Sequence, residues 1–344
     1  MIAHSAGGHL PSGAPVIPVN GGVDTLILAA LQLNGRASWG QIARVLDIPE
    51  RTVTRRGQRL VEAGRVRIST YLDVTRVSEA RGLLVRLHTT AAAAPEVAAA
   101  LAARDDVSSV SMLEGSGDII SLLLPTSQDA WRSLVHTELL RLPGLLSFDV
   151  STILRLHRAG YDWEPGVLSE SHVAQLRPAY APVEERAHVV ALEPEDHELI
   201  RALEADGRAT VSSLAAMTGV SAQTVRKRLD ALFGQGALHV RTEFSPHELG
   251  LEVEAIMWLK TPTQSLDDVA TALAAHHAVR FCATATGTAT LFLDVLVADL
   301  PSLYTFLQVD VGRFDRVEIA EVRLVTTPVR RGPLLISPTR GRDA

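Results

Sequence analysis

Residues Asp24 to Ile68 recur without a gap at Asp196 to Val240, and this repetition limits the possible folds more than any other feature of the 344-residue chain. At an offset of 172 residues the copies share Asp24/Asp196, Leu31/Leu203, Gly35-Arg36-Ala37 with Gly207-Arg208-Ala209, Ala43/Ala215, Thr52-Val53 with Thr224-Val225, Arg56/Arg228, Leu60/Leu232 and Gly64/Gly236. A tandem duplication must fold as two similar halves. The length is ample for two to four domains, and a hydrophobic content of 47% can give each a core.

Each copy reads as three short helices. Asp24 can cap the first, with Ile27, Leu28 and Leu31 on one face, and Asn34-Gly35 ends it. The second copy matches this with Asp196, Leu199, Ile200, Leu203 and Asp206-Gly207. Ser38 and Thr210 are placed to cap the second helix. Ser221 is placed to cap the third, where Val225, Leu229, Leu232 and Phe233 form a buried stripe. In the first copy that stripe is Val53, Gly57, Leu60 and Val61, and Gly57 costs a helix interior about 1 kcal/mol relative to Ala. Strand-like segments follow at Arg65 to Tyr71 and Leu238 to Phe244, which completes a helix-turn-helix plan with a wing.

Behind each copy the pattern turns to βαββαβ. In the first half it runs through Gly82 to His88, Pro95 to Arg104, Val107 to Leu113, Ile119 to Leu124, Gln128 to Leu140 and Leu145 to Leu156. In the second it runs through Val253 to Leu259, Leu266 to His276, Val279 to Thr284, Thr290 to Val297, Leu300 to Val309 and Arg316 to Val325. The expected fold class is α+β, with two winged helix-turn-helix domains alternating with two ferredoxin-like domains. The boundaries are a disordered tail at 1–20, helix-turn-helix 1 at 21–72, ferredoxin-like domain 1 at 80–157 and a linker at 158–192. Helix-turn-helix 2 follows at 193–244, ferredoxin-like domain 2 at 250–327 and a C-terminal tail at 328–344. Trp163 and Tyr180 indicate that parts of the linker pack. A ferredoxin-like sheet leaves one apolar face bare, so each sheet needs a partner, either the other copy or a second chain.

Composition narrows the function. One cysteine, Cys282, rules out a disulfide framework and suits a reducing cytoplasm. No apolar run approaches the roughly 20 residues of a membrane span, and the N-terminus lacks the pattern of a signal peptide. The twelve histidines show no metal-ligand spacing, and no cofactor motif is present. A net charge of -6 argues against wholesale coating of nucleic acid but leaves room for a local basic patch. Lys occurs only at 227 and 260, so Arg richness alone is a compositional bias.

The third helix of each copy carries the basic patch. Arg51, Arg55 and Arg59 are spaced by four along one flank, while Val53 and Leu60 hold the other. Arg51, Thr52, Thr54 and Arg55 are the candidates for base contact, with Arg56, Arg59 and Arg67 toward phosphate. In the second copy Gln223, Thr224 and Arg226 face bases, with Lys227, Arg228 and Arg241 toward the backbone. The competing reading is an ordinary solvated face. Gly115-Ser116-Gly117-Asp118, between two strands, is the candidate ligand motif or else a plain hairpin turn. The second copy has Gly287-Thr288-Ala289-Thr290 there and lacks the acid.

With Ala205-Asp206-Gly207-Arg208-Ala209, Gly219-Val220-Ser221 and Gly115 to Asp118 in this order and duplicated, the chain resembles the Lrp/AsnC (feast/famine) transcriptional regulators from Val23 to Val325. The resemblance implies a double-stranded DNA partner, a small-molecule effector such as an amino acid, homo-oligomerisation and no enzymatic activity. Tetrapyrrole decarboxylases resemble the same two-domain unit, so an enzyme of that kind stays open, as does a sequence-indifferent architectural DNA binder.

Overall fold

The computed structural model describes residues 22–78, 81–178, 189–332 and 334–336. The expected disordered tail at 1–20 and Tyr180 lie outside them. The first half opens with α1 (Val23–Leu33), α2 (Trp39–Leu46) and α3 (Glu50–Glu62), then β1 (Val66–Leu72) and a single turn, α4 (Val74–Val77). β2 (Leu83–Thr89), α5 (Ala94–Ala102), β3 (Val107–Leu113), β4 (Asp118–Leu123), α6 (Gln128–Ser133) and β5 (Leu145–Arg158) follow, and α7 (Glu170–Leu176) lies in the connection. The second half repeats this with α8 (Pro194–Ala205), α9 (Val211–Thr218), α10 (Ala222–Gly234), β6 (Leu238–Phe244), β7 (Val253–Lys260), α11 (Leu266–Ala274), β8 (Val279–Ala285), β9 (Leu291–Val297), α12 (Leu300–Thr305) and β10 (Glu318–Arg331). A short β11 (Leu334–Leu335) closes it.

The helical trios form as their periodicity demands. Ile27, Leu28, Leu31, Ile42, Val53 and Leu60 are buried together, and so are Leu199, Leu203, Leu214, Val225, Leu229, Leu232 and Phe233. The hydroxyls of Ser38, Thr210 and Ser221 cap α2, α9 and α10. Gly57 has a packing reason, since a Cβ there would come within 2.3 Å of the Trp39 ring. Val61, expected in the stripe, is 41% exposed, whereas Phe233 at the same place in the second copy is buried.

The two wing strands pair with each other across the copies. β1 pairs antiparallel with β6, from Val66 opposite Phe244 to Leu72 opposite Leu238, so each copy supplies half of a two-stranded ribbon. Burial follows the swap: Phe244, Leu249 and Leu251 join the core of the first trio, and Leu72 and Val77 pack against the second. The repeated Gly-Arg-Ala triplets form the clasp. Arg36 donates to the carbonyls of Gly207 and Ala209 at 2.5 and 3.0 Å, and Arg208 donates to those of Gly35 and Ala37 at 2.5 and 2.8 Å. Such reciprocity is the signature of a two-fold interface, here within one chain. Gly207 must be glycine for it, because a Cβ would meet the Ser69 backbone at 2.8 Å.

The two βαββαβ units meet in the same way. β5 pairs with β2 through residues 145–152 and with β8 through residues 153–158. β10 pairs with β7 over 318–324 and with β3 over 325–331. The eight long strands therefore close into one barrel, with helices packed outside and Leu84, Ile120, Ile256 and Phe292 among the buried residues inside. The bare sheet faces cover one another. This corrects two sequence expectations. The C-terminal tail proposed from 328 is strand as far as Arg331 and again in β11, and β5 continues to Arg158. In the expected linker, Trp163 is buried against the first trio and its Nε1 donates to the His277 carbonyl at 2.7 Å.

Candidate nucleic-acid interface and ligand hairpin

The outer face of α3 presents Arg51, Arg55 and Arg59 to solvent beside Thr54 and Gln58. Among the described residues none of these three arginines has an ion-pair partner. Thr52 is half-buried, and its amide is tied to the Pro49 carbonyl at 2.8 Å. On α10, Gln223, Thr224, Arg226 and Lys227 are exposed, although the Thr224 hydroxyl lies 2.9 Å from that of Ser221 at the helix cap. Arg67 projects outward from β1.

Three residues expected to meet the DNA backbone have ion-pair partners within the protein. Arg56 pairs with Asp24 at 2.8 Å, and Arg228 pairs with Asp196, which is wholly buried. Both contacts tie the third helix to the first. Arg241 is largely buried, paired with Glu243 and close against Gly332 at the end of β10, because β6 turns that position into the molecule. A signal for the first two was present in the sequence. Asp24, Arg56, Asp196 and Arg228 are identical between copies, whereas the outward positions differ: Arg51 against Gln223, Thr54 against Arg226, Arg55 against Lys227 and Arg59 against Ala231. The shared acid–arginine pair serves the scaffold that both copies must build.

The hairpin from Gly115 to Asp118 depends on its glycines. Gly115 and Gly117 have φ of 114° and 84°, and a Cβ on Gly117 would fall 2.0 Å from the Thr89 carbonyl oxygen. Asp118, expected as a free carboxylate for a ligand ammonium, is buried and already paired with Arg86 at 2.6 Å and His88 at 2.9 Å. Arg86 also pairs with Glu321 of the second half at 2.5 Å and lies 4.7 Å from the centre of the Trp258 ring. Sequence reasoning missed Arg86, since nothing local announces a partner in the other half. The Arg86 guanidinium holds the Glu321 carboxyl down at about 2, against an ordinary value of 4.5. A depressed carboxyl stabilises the fold above its unfolded value and loses that contribution as pH falls through the folded one. The thermal midpoint is therefore expected to drop between pH about 4.5 and 2, and Glu321→Gln should flatten that limb of the pH profile. An unchanged limb would contradict the bridge.

Cys282 is buried, and burial pushes its thiol up to about 12, as an inert core cysteine requires. Among the described residues no group of acidic, histidine or cysteine side chains could hold a metal, and no helix is long and apolar enough to cross a membrane.

Residues 195–232 match the model of an AsnC-type helix-turn-helix domain, residues 254–335 that of an Lrp/AsnC ligand binding domain, and residues 23–67 that of a winged helix-turn-helix DNA-binding domain. The chain is 32% identical over 120 residues to the HTH-type transcriptional regulator LrpA of Mycobacterium tuberculosis, covering 34% of this chain and 80% of the relative. It is 27% identical over 138 residues to an uncharacterised HTH-type transcriptional regulator of Pyrococcus furiosus, covering 40% of this chain and 93% of the relative. Among solved structures, the siroheme decarboxylase NirDL is similar in fold, with a TM-score of 0.56 at 14% identity over 90% of this chain and 93% of that one.

Proposed function

The chain belongs to the Lrp/AsnC family as a transcriptional regulator with two family units in one polypeptide, and from that premise we propose that a single chain reads an asymmetric DNA site with two unlike heads. The observation that carries this is the exposed basic face of α3, whose Arg51, Arg55 and Arg59 have no ion-pair partner among the described residues, in a copy clasped through Arg36 and Arg208 to the other, whose α10 carries different outward residues. Arg51, Thr52, Thr54 and Arg55 would contact bases, with Arg59 and Arg67 on phosphate. Gln223, Thr224 and Arg226 would read the second half-site, with Lys227 on phosphate. Selection from random DNA is expected to return an imperfect repeat with two different half-sites. Perfect palindromes would mean that like heads pair between chains, and would overturn the two-headed reading.

Gly115, Ser116, Gly117 and Asp118 are the proposed contact for an amino acid or related effector. A ligand ammonium would engage Asp118 by taking it from Arg86 or His88, which links the hairpin to Glu321 across the halves.

A second reading rests on the likeness of nearly the whole chain to a siroheme decarboxylase. It requires loss of carboxylate from an added sirohaem by the purified protein, followed by absorbance and product mass. The free basic face of α3 favours the regulator.

A further inference from the structure

The two halves of the barrel differ in charge within its lumen, at the end nearest the wings. There Gly82, Ser108, Leu122 and Ala159 of the first half stand where the second half, 172 residues on, has Glu254, Arg280, Asp294 and Arg331. At these four positions the first half is neutral and the second charged, and beside them lies a cavity of about 190 Å³, lined also by Asp73, Arg81 and Arg155 and bounded on the wing side by Tyr71 and Arg241. One water needs only about 10 to 15 Å³, so the space is many times larger than a single buried water requires.

The charged wall is incompletely satisfied. Arg280 donates to Asp294 at 2.7 Å and reaches Glu254 at 3.4 Å, and Arg331 pairs with Glu254. Asp294 and Arg331 are 6% and 4% exposed, yet among the described residues Asp294 Oδ1 and Arg331 Nε have no hydrogen-bond partner. Buried charged groups rarely leave such atoms unmet. Both residues line the cavity, whose remaining walls include Leu84, Ile120, Ile256 and Phe292. None of Gly115 to Asp118 lines it.

We propose that this lumen binds one small ligand per chain: a net-neutral molecule with an apolar body and a head group offering both a donor, for Asp294, and an acceptor, for Arg331. Neutrality follows from the wall itself. Arg280 and Arg331 balance Asp294 and the adjoining Glu254, Arg241 is paired with Glu243 and Arg155 with Asp267, and the other charged lining residues, Arg81 and Asp73, are opposite in sign, so a ligand with net charge would add an uncompensated charge to a largely buried site. Zwitterionic amino acids and primary amides with branched apolar tails satisfy all three conditions.

Calorimetry on the full chain without DNA tests this independently of the DNA assignment. With Asp118→Asn in the background, so that the hairpin proposed above does not contribute, L-leucine and 4-methylpentanamide are expected to bind at one site per chain, with isopentylamine and 4-methylpentanoate at least tenfold weaker. Ser109→Phe places in the cavity the ring that the second half already carries there as Phe281. It should abolish binding of both neutral probes while the thermal midpoint holds or rises. Asp294→Asn removes one negative charge from the wall, so 4-methylpentanoate should gain at least tenfold relative to the amide. The proposal is overturned if neither neutral probe binds, as for a lumen that holds only water. It is equally overturned if a folded Ser109→Phe protein binds as before, or if Asp294→Asn leaves the ranking of probes unchanged. The Asp294→Asn arm decides the matter if Ser109→Phe does not fold.

Discussion

Replacing Arg51, Arg55 and Arg59 together by Ala is expected to remove specific DNA binding while leaving the fold intact. All three are exposed and without ion-pair partners among the described residues, so their loss takes little from the packing of α3, which is held by Val53 and Leu60. Two lost base contacts at roughly 1 to 3 kcal/mol each weaken binding by about 30-fold to 10⁴-fold. The lost phosphate contact of Arg59 lowers the slope of log affinity against log salt by about 0.9. Titration of a selected site at several salt concentrations, beside a thermal melt, reads both quantities. A folded triple variant that binds its site as before would remove α3 from the interface. Arg56→Ala is the control that the structure supplies: its guanidinium is spent on Asp24, so it should leave the salt slope nearly unchanged.

The second large effect is on stability and separates the copies. Arg228→Ala strands the Asp196 carboxylate, which is wholly buried and otherwise held by the Glu193 amide at 2.8 Å. Breaking a buried pair from one side costs about 3 to 5 kcal/mol, because the remaining charge has no solvent to return to. The equivalent pair of the first copy is far more open, with Arg56 40% and Asp24 32% exposed, and an exposed pair is worth about 0 to 1 kcal/mol. Urea unfolding of the two variants should thus differ by several kcal/mol despite identical chemistry in sequence. Equal losses would contradict the burial difference between the two trios. Asp196→Leu combined with Arg228→Met should recover much of the loss by removing both charges together.

Much of the architecture could be read from the chain. Local rules are enough to form α1 to α3 and α8 to α10, since apolar spacing and caps at Ser38, Thr210 and Ser221 act within one or two turns. The βαββαβ order and the glycine hairpin are likewise local properties, and the duplication follows from identity alone. From these the sequence by itself determined the helix-turn-helix units, the family resemblance and the face of α3 that carries Arg51, Arg55 and Arg59.

Only the tertiary structure decided which basic residues remain free and how the halves join. Arg55 and Arg56 are neighbours of one residue type, yet only Arg56 meets an acid, and that acid lies 32 residues earlier on α1. Asp118 found Arg86 within its own half, but the bridge onward to Glu321 spans 235 residues. The pairings of β1 with β6, β5 with β8 and β10 with β3 join segments of ordinary strand pattern, and nothing in that pattern specifies a partner in the other copy. The lumen arose in the same way. Gly82, Ser108, Leu122 and Ala159 are unremarkable where they stand in the sequence, and they leave a cavity only because folding sets them against the charged residues of the second half. Long-range contacts depend on how two buried surfaces fit, and that information has no period along the chain from which it could be read.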